Sequence, residues 1–343
     1  ELGLVDMGMT ATFNAQHQLG QDLNGQLGGD FFQPLTASFS AHPGNTGTSA
    51  LAVTIDDATA LTGDEYSLRY GSGQWTLTNL STNVAQTGAG PFTVDGVTVS
   101  ISGVPSDGDA FLVQPTLQGA ALFDVALVRP EDFAAASPLR SQEALTNIGS
   151  GRLDDLNVTD VSGLPLASPV TLTFNPDALG PGVPGYDVTG IAGGPLAYDP
   201  ATESNGKAFS LGGFDFTLSG NPLSGDSLVI ENNLNGQGDN RNALALSGLQ
   251  TSNLLNGGTT SYQDVYGQLV ADVAVKTRQA GASVSTEQVL LDQSIAARDS
   301  VSGVNLDEEA ANLIRYQQAY QAAAQVISVA DQMFQVLLNA TQR

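Results

Sequence analysis

Leu306, Leu313, Tyr320, Ile327 and Phe334 stand seven residues apart, and Glu309, Tyr316, Ala323, Ala330 and Leu337 repeat that spacing three residues later. A seven-residue apolar repeat sustained over several heptads lays a seam along one face of a helix, and such a seam is built to meet another helix. Ala319, Val326 and Met333 widen the apolar face, while the small side chains of Ala323 and Ala330 let a partner approach closely. Charge is almost missing: Asp331 is the single charged side chain between Tyr316 and Gln342. A dimeric coil carries charges beside its seam, and a helix docked on its own domain keeps a charged outer face. Here the flanks are Gln, Ala, Ser and Val. The pattern predicts a helix contacted on several sides in an assembly. Its expected interface residues are Leu306, Leu313, Tyr316, Tyr320, Ala323, Ile327, Ala330, Phe334 and Leu337.

The rest of the composition narrows the classes of function. At 343 residues the chain is long enough for two or three domains. Acidic residues outnumber basic ones 35 to 11, for a net charge of −24. A nucleic-acid binder needs a Lys/Arg patch to displace counterions, and an anionic membrane surface needs the same, so neither partner is expected. With no cysteine, disulfides, thiolate chemistry and Cys-based zinc sites are excluded. No signal peptide is evident, and no apolar run is long enough to span a bilayer. The chain opens at Glu1 inside a helical pattern and is expected to be a fragment.

Leu2, Val5, Met9 and Phe13 mark one face of a helix over residues 1–20, with Gly20 after its end. A polar loop follows from Asp22 to Asp30. Residues 36–233 then run as short alternating segments broken by Gly, Asn and Asp, such as Leu51–Ile55, Trp75–Thr78 and Val170–Phe174, the signature of antiparallel β structure. Pro130 with Glu131 and Asp132 marks a short helix start inside this region. An internal repeat is visible. Phe92 to Val113 aligns without gaps on Phe209 to Ile230, sharing Phe92/Phe209, Gly96/Gly213, Ser102/Ser219, Gly103/Gly220, Pro105/Pro222, Gly108/Gly225 and Asp109/Asp226. Two related β modules in tandem are expected. Past a Gly/Asn-rich linker at 233–242, helices are expected over 243–255, from a Ser261/Asp264 cap to Gly281, from Ser285 to about 301, and from an Asn305 cap onward.

The stretch from Gly303 to Ala322 closely resembles the C-terminal motif of flagellar axial proteins, the group of rod, hook and hook-associated proteins. Within that group the chain is most similar to the hook-associated protein 1 family. The discriminating stretches are Phe13-Asn14-Ala15-Gln16-His17 with Gly20, Asp22 to Gly25, Asp30-Phe31-Phe32, Asp239 to Leu246, and Tyr266 to Val270. The resemblance covers 1–33 and about 235–343 well, and the β region more weakly. It implies terminal helices that form a common core around an export channel, with β domains projecting outward. It implies a secreted, extracellular junction subunit between hook and filament. The implied partners are further copies in a ring or axial assembly, the hook protein, the second junction protein, and an export chaperone at the C-terminal region.

Chemistry finds little support. The two histidines, His17 and His42, lack any metal-binding or triad pattern. The Asp22–Asp30 loop fails as a calcium loop at Leu27 and Gln33. Asp107-Gly108-Asp109 and Gly236 to Asp239 fit turns as well as calcium loops. Trp75 fits a β core better than a sugar platform. No catalytic, cofactor or metal site is expected. The expected architecture is α+β and multidomain: a helical stem of bundle or coiled-coil type with two small antiparallel β-rich domains inserted. Its expected divisions are a stem segment at 1–33, a first β module at 34–128 and a connecting segment with a short helix at 129–165. A second β module at 166–233, a helical return at 234–283 and C-terminal axial-core helices at 284–343 complete it. The rivals are another axial protein such as the hook protein, and a secreted β-rich adhesin or glycan-binding module on a helical stalk. An enzyme embedded in an outer β domain is the remote third.

Overall fold

The computed structural model describes residues 2–234, 236–303 and 306–341. The chain divides into two compact units, residues 1–270 and 271–343. The first unit begins with helix α1 (Leu2–Gln18). A first β module follows: β1 (Ser38–Ala41), β2 (Ala50–Ile55), β3 (Tyr66–Gly71), β4 (Gln74–Asn79), β5 (Ala85–Gly88), β6 (Phe92–Val94), β7 (Val97–Ser102) and β8 (Ala110–Gln114). After the single turn α2 (Gly119–Leu122) comes a second module: β9 (Leu139–Glu143), β10 (Arg152–Val158), β11 (Val170–Asn175), β12 (Gly185–Thr189), β13 (Leu196–Ala197), the turn α3 (Pro200–Glu203), β14 (Lys207–Leu211), β15 (Phe214–Ser219) and β16 (Ser227–Asn232). Helix α4 (Arg241–Gly248) and the first residues of α5 (Tyr262–Ser302) complete this unit, and α6 (Leu306–Thr341) lies in the second. The arrangement is α+β, as expected.

The repeat visible in the sequence is the surviving part of a full duplication. The first module pairs its strands as β1-β8-β3-β4-β5 and β2-β7-β6, and the second as β9-β16-β11-β12-β13 and β10-β15-β14. Strand for strand, the two orders are the same, and every pairing is antiparallel. The shared residues have a shared task. Asp109 accepts the backbone N–H groups of Thr46, Gly47 and Ser106 at 2.9, 3.2 and 2.9 Å. Asp226 accepts those of Ile148, Gly149 and Leu223 at 2.9, 2.8 and 2.8 Å. Beside each aspartate an Asn side chain exchanges a pair of bonds with one strand residue, Asn45 with Ala110 and Asn147 with Ser227. Gly103 and Gly220 both have φ of +82°, and a Cβ there would lie 2.3 Å from the Thr48 carbonyl oxygen or 1.9 Å from that of Ser150. Only glycine meets both demands.

Residues 129–165, expected as a connecting segment, instead supply β9 and β10 of the second module, bound to β16 and β15. Their pattern is poorly apolar: β9 buries Leu139 and exposes the four residues that follow. In β10 a register shift between Asp154 and Asn157, with Asp155 at a φ of +53°, breaks the alternation. The Pro130 signal is one turn of 3-10 helix, Pro130–Asp132.

Helix α4 ends at Gly248, earlier than 255. Ser261 and Asp264 do form the expected reciprocal cap, Ser261 N–H to the carboxylate at 3.0 Å and Asp264 N–H to the hydroxyl at 3.2 Å. The expected break between Gly281 and Ser285 is absent, and α5 runs unbroken for 41 residues. An interior glycine costs a helix only about 1 kcal/mol relative to Ala, which a long run of helical neighbours tolerates. The Asn305 cap lies outside the described residues.

Candidate assembly surface

The stem of the first unit is organised by the stretches that carried the family resemblance. Asn14 lies buried on α1, and its side-chain oxygen accepts the N–H groups of Phe31 and Phe32 at 3.0 and 2.9 Å. Its amide donates to the Phe32 carbonyl at 2.8 Å. His17, 0% exposed, receives the Ala134 N–H on Nε2 at 2.9 Å and places Nδ1 2.8 Å from the Gly29 carbonyl oxygen. A ring nitrogen that accepts an N–H carries no proton, so the imidazole is neutral and donates from Nδ1. Phe13, Phe31 and Phe32 form a ring cluster with centroids 4.8–5.3 Å apart. Gln16 donates to the Asn242 side-chain oxygen at 2.7 Å, and Asn242 donates to the Ala134 carbonyl at 2.6 Å. The first and last thirds of the chain are thereby joined. Arg241 pairs with Asp239 at 2.7 Å and donates to the Leu139 carbonyl at 2.6 Å. Burial raises the Asp239 pKa, but the Arg241 guanidinium and a backbone N–H outweigh it and hold the carboxyl below its usual value.

These histidine and aspartate side chains are spent on structure. His42 accepts the Gly44 N–H at 3.1 Å in its loop. Asp22 accepts the N–H groups of Asn24 and Gln26, both at 2.8 Å, as a turn residue does. Trp75 is buried in β4 against Tyr70 and Phe111. Among the described residues no three His, Asp or Glu side chains converge on a metal position. No helix among the described residues is long and apolar enough to cross a membrane.

Helix α6 is the opposite kind of surface. It has 36 residues and none is buried. Leu313 is 70% exposed, Tyr320 78% and Phe334 63%, and Leu306, Tyr316, Ile327 and Leu337 are exposed as well. Ala323 and Ala330 sit between them on the same seam, exposed too. In α5, Val284, Leu290 and Leu291 are likewise bare. Water-exposed apolar side chains in such a row mark a surface meant to be covered. The seven large side chains of the seam would contribute roughly 10–20 kcal/mol gross on full burial, against an association cost of about 4–15 kcal/mol.

The chain thus combines helical elements, duplicated antiparallel modules and a charge-poor C-terminal helix. A protein-family model described as "Flagellar basal body rod FlgEFG protein C-terminal" matches residues 298–340, and one described as "Flagellar hook-associated protein 1, D2-like domain" matches residues 40–115. The flagellar hook-associated protein 1 of Escherichia coli K12 is 27% identical over 342 residues, covering 98% of this chain and 45% of that protein. Its namesake from Salmonella typhimurium is 27% identical over 345 residues, covering 98% and 46%. The structure of the flagellar hook junction protein FlgK from Burkholderia pseudomallei superposes with a TM-score of 0.75 at 30% identity, over 87% of this chain and 59% of that one. The chain is similar to the flagellar hook-associated protein 1 family over nearly all of its length. It spans less than half the length of the curated relatives it matches over nearly all of its own residues.

Proposed function

We propose that the chain is a structural, non-enzymatic subunit of the flagellum that joins hook to filament. It assembles through its terminal helices and carries its β modules as outward domains. The observation that carries this reading is α6, a helix with a heptad seam, one charge after Tyr316 and no buried residue. The match of residues 298–340 to the rod-protein family supports the same use of that helix, because those relatives are axial proteins by description. The seam of Leu306, Leu313, Tyr316, Tyr320, Ala323, Ile327, Ala330, Phe334 and Leu337 packs against other subunits, each large side chain supplying about 1.5–3 kcal/mol on burial. On this reading the neighbours are further copies of the chain, the hook protein and the second junction protein. The site of action is outside the cell, reached by export in the unfolded state with a chaperone on the C-terminal region.

The test is a strain whose only copy of the gene carries Leu313→Asp and Tyr320→Asp. The protein should reach the medium with both β modules folded, and hooks should form without filaments. A second strain lacking residues 306–341 should behave in the same way. Filaments of normal number and length in either strain would sink the proposal.

A further inference from the structure

The two modules share a topology but not an attachment. The first module's core is continuous with the stem. Leu4 and Met7 of α1, with Leu255 and Val265, are buried in one cluster with Leu61 and Tyr66. The Gly257 N–H also reaches the Thr59 carbonyl at 2.7 Å. Module and stem share one packed interior.

The second module's buried core contains no stem residue, and only the half-buried Leu19 leans on it. Its described hydrogen bonds to the stem gather where the chain enters and leaves. There Arg241 of α4 donates to the Leu139 carbonyl at 2.6 Å, and the entering and leaving segments are tied to each other by the Asn233 N–H to the Pro138 carbonyl at 2.8 Å. Between β10 and the helices α1 and α4 lies a cleft of about 340 Å³, edged by Gln16, Asn157, Thr159 and Asn242. No described hydrogen bond joins the two modules. Domains joined without a large apolar interface move relative to one another.

We propose that the second β module swivels as a body on a neck formed by residues 136–139 and 232–234, while the first is a rigid extension of the stem. The neck has two strands of chain and a polar clasp, so rotation breaks few apolar contacts and opens or closes the cleft. Duplication has given two copies of one fold two mechanical roles, one that transmits orientation and one that yields to it.

The absence of native cysteine allows a direct test on the whole chain. Spin labels go on exposed positions: Ala15→Cys in α1 paired with Ala85→Cys in the first module, and Ala15→Cys paired with Ala208→Cys in the second. Pulsed dipolar spectroscopy should give a narrow distance distribution for the first pair and one at least about twice as wide for the second. Nitrogen-15 relaxation of the unsubstituted chain covers the case in which a labelled variant misfolds: amides of β9 to β16 should tumble faster than those of β1 to β8. Equal widths in the first experiment, or equal tumbling of both modules with the stem in the second, would overturn the proposal.

Discussion

Replacing Asp226 with Ala should unfold the second module at a denaturant concentration where the first is untouched. Asp226 is 5% exposed. Its two oxygens accept three backbone N–H groups, from Ile148, Gly149 and Leu223, at 2.8–2.9 Å. Truncation leaves those donors in a place water reaches poorly. Each orphaned buried donor costs about 1–3 kcal/mol, and some relaxation of the loop brings the total to about 3–5 kcal/mol. The Asn147 pair of bonds to Ser227 is untouched and keeps the strand end in place. Hydrogen exchange followed by mass spectrometry along a urea series reads each module separately. Peptides from β9 to β16 should open several kcal/mol more easily, and peptides from β1 to β8 should not change, because the buried cores are separate. Asp226→Asn, which keeps one acceptor oxygen, should fall between. A loss under about 1 kcal/mol would refute the role of the carboxylate. An equal loss in both modules would refute their independence.

Other expectations come from the same kind of accounting. Asn14→Ala removes three hydrogen bonds at a buried position, and should cost about 2–4 kcal/mol and expose the 21–33 loop to limited proteolysis; an uncut loop would contradict this. Gly220→Ala and Gly225→Ala both put a side chain at positive φ, but only the first drives a Cβ to 1.9 Å from a carbonyl oxygen, while the second meets nothing within 4 Å. The second should cost about 1–2 kcal/mol and the first clearly more by thermal unfolding; equal losses would show that the loop carrying Ser150 gives way freely. Acid should loosen both modules. At Asp109 the Ser106 N–H, and at Asp226 three N–H groups that outweigh burial, hold the folded pKa below the ordinary 3.8. A depressed folded pKa means stability is complete above the unfolded value and is lost as pH falls below about 4. Asp226→Asn should flatten that loss in the second module alone, and an unchanged acid profile would contradict it.

How much of this was legible before the structure depends on whether each signal was local. The heptad of α6 is a matter of spacing and could be read directly. The Ser261/Asp264 cap is equally local and stands as read. The repeat was legible only where its two copies remain aligned, from Phe92/Phe209 to Val113/Ile230, which covers β6 to β8 and β14 to β16. Its other half is hidden because β9 is a polar edge strand and β10 is bulged at Asp155. A fainter trace was present in the tripeptides Asn45-Thr46-Gly47 and Asn147-Ile148-Gly149. Short and far from the matched block, they gain meaning only when each Asn and Gly is seen to meet the strand and aspartate of its own module. The roles of Asn14, His17 and Asn242 were out of reach for the same reason. Their partners, Phe31, Gly29 and Ala134, are backbone groups distant in sequence, and backbone groups leave no mark in composition.

The contrast between the modules carries a consequence for how such a chain can diverge. In both copies the Asp, the Asn-x-Gly loop and the positive-φ glycines are kept by backbone demands that no other side chain satisfies at lower cost. The side chains that face outward from the same frame are free of those demands. Thr46 in one copy therefore stands where Ile148 stands in the other, and Ser106 where Leu223 stands. The first module lends its interior to the stem, so its inward residues answer to α1 as well as to its own sheets. The second answers almost wholly to itself. Substitutions on the second module should thus be tolerated without disturbing the stem, while core changes in the first should reach it. Truncating Trp75 to Ala should lower the protection of α1 amides in hydrogen exchange, and truncating Phe216 to Ala, equally buried, should not. Loss of α1 protection in both variants would place the two modules in one cooperative body and contradict the division drawn from their cores.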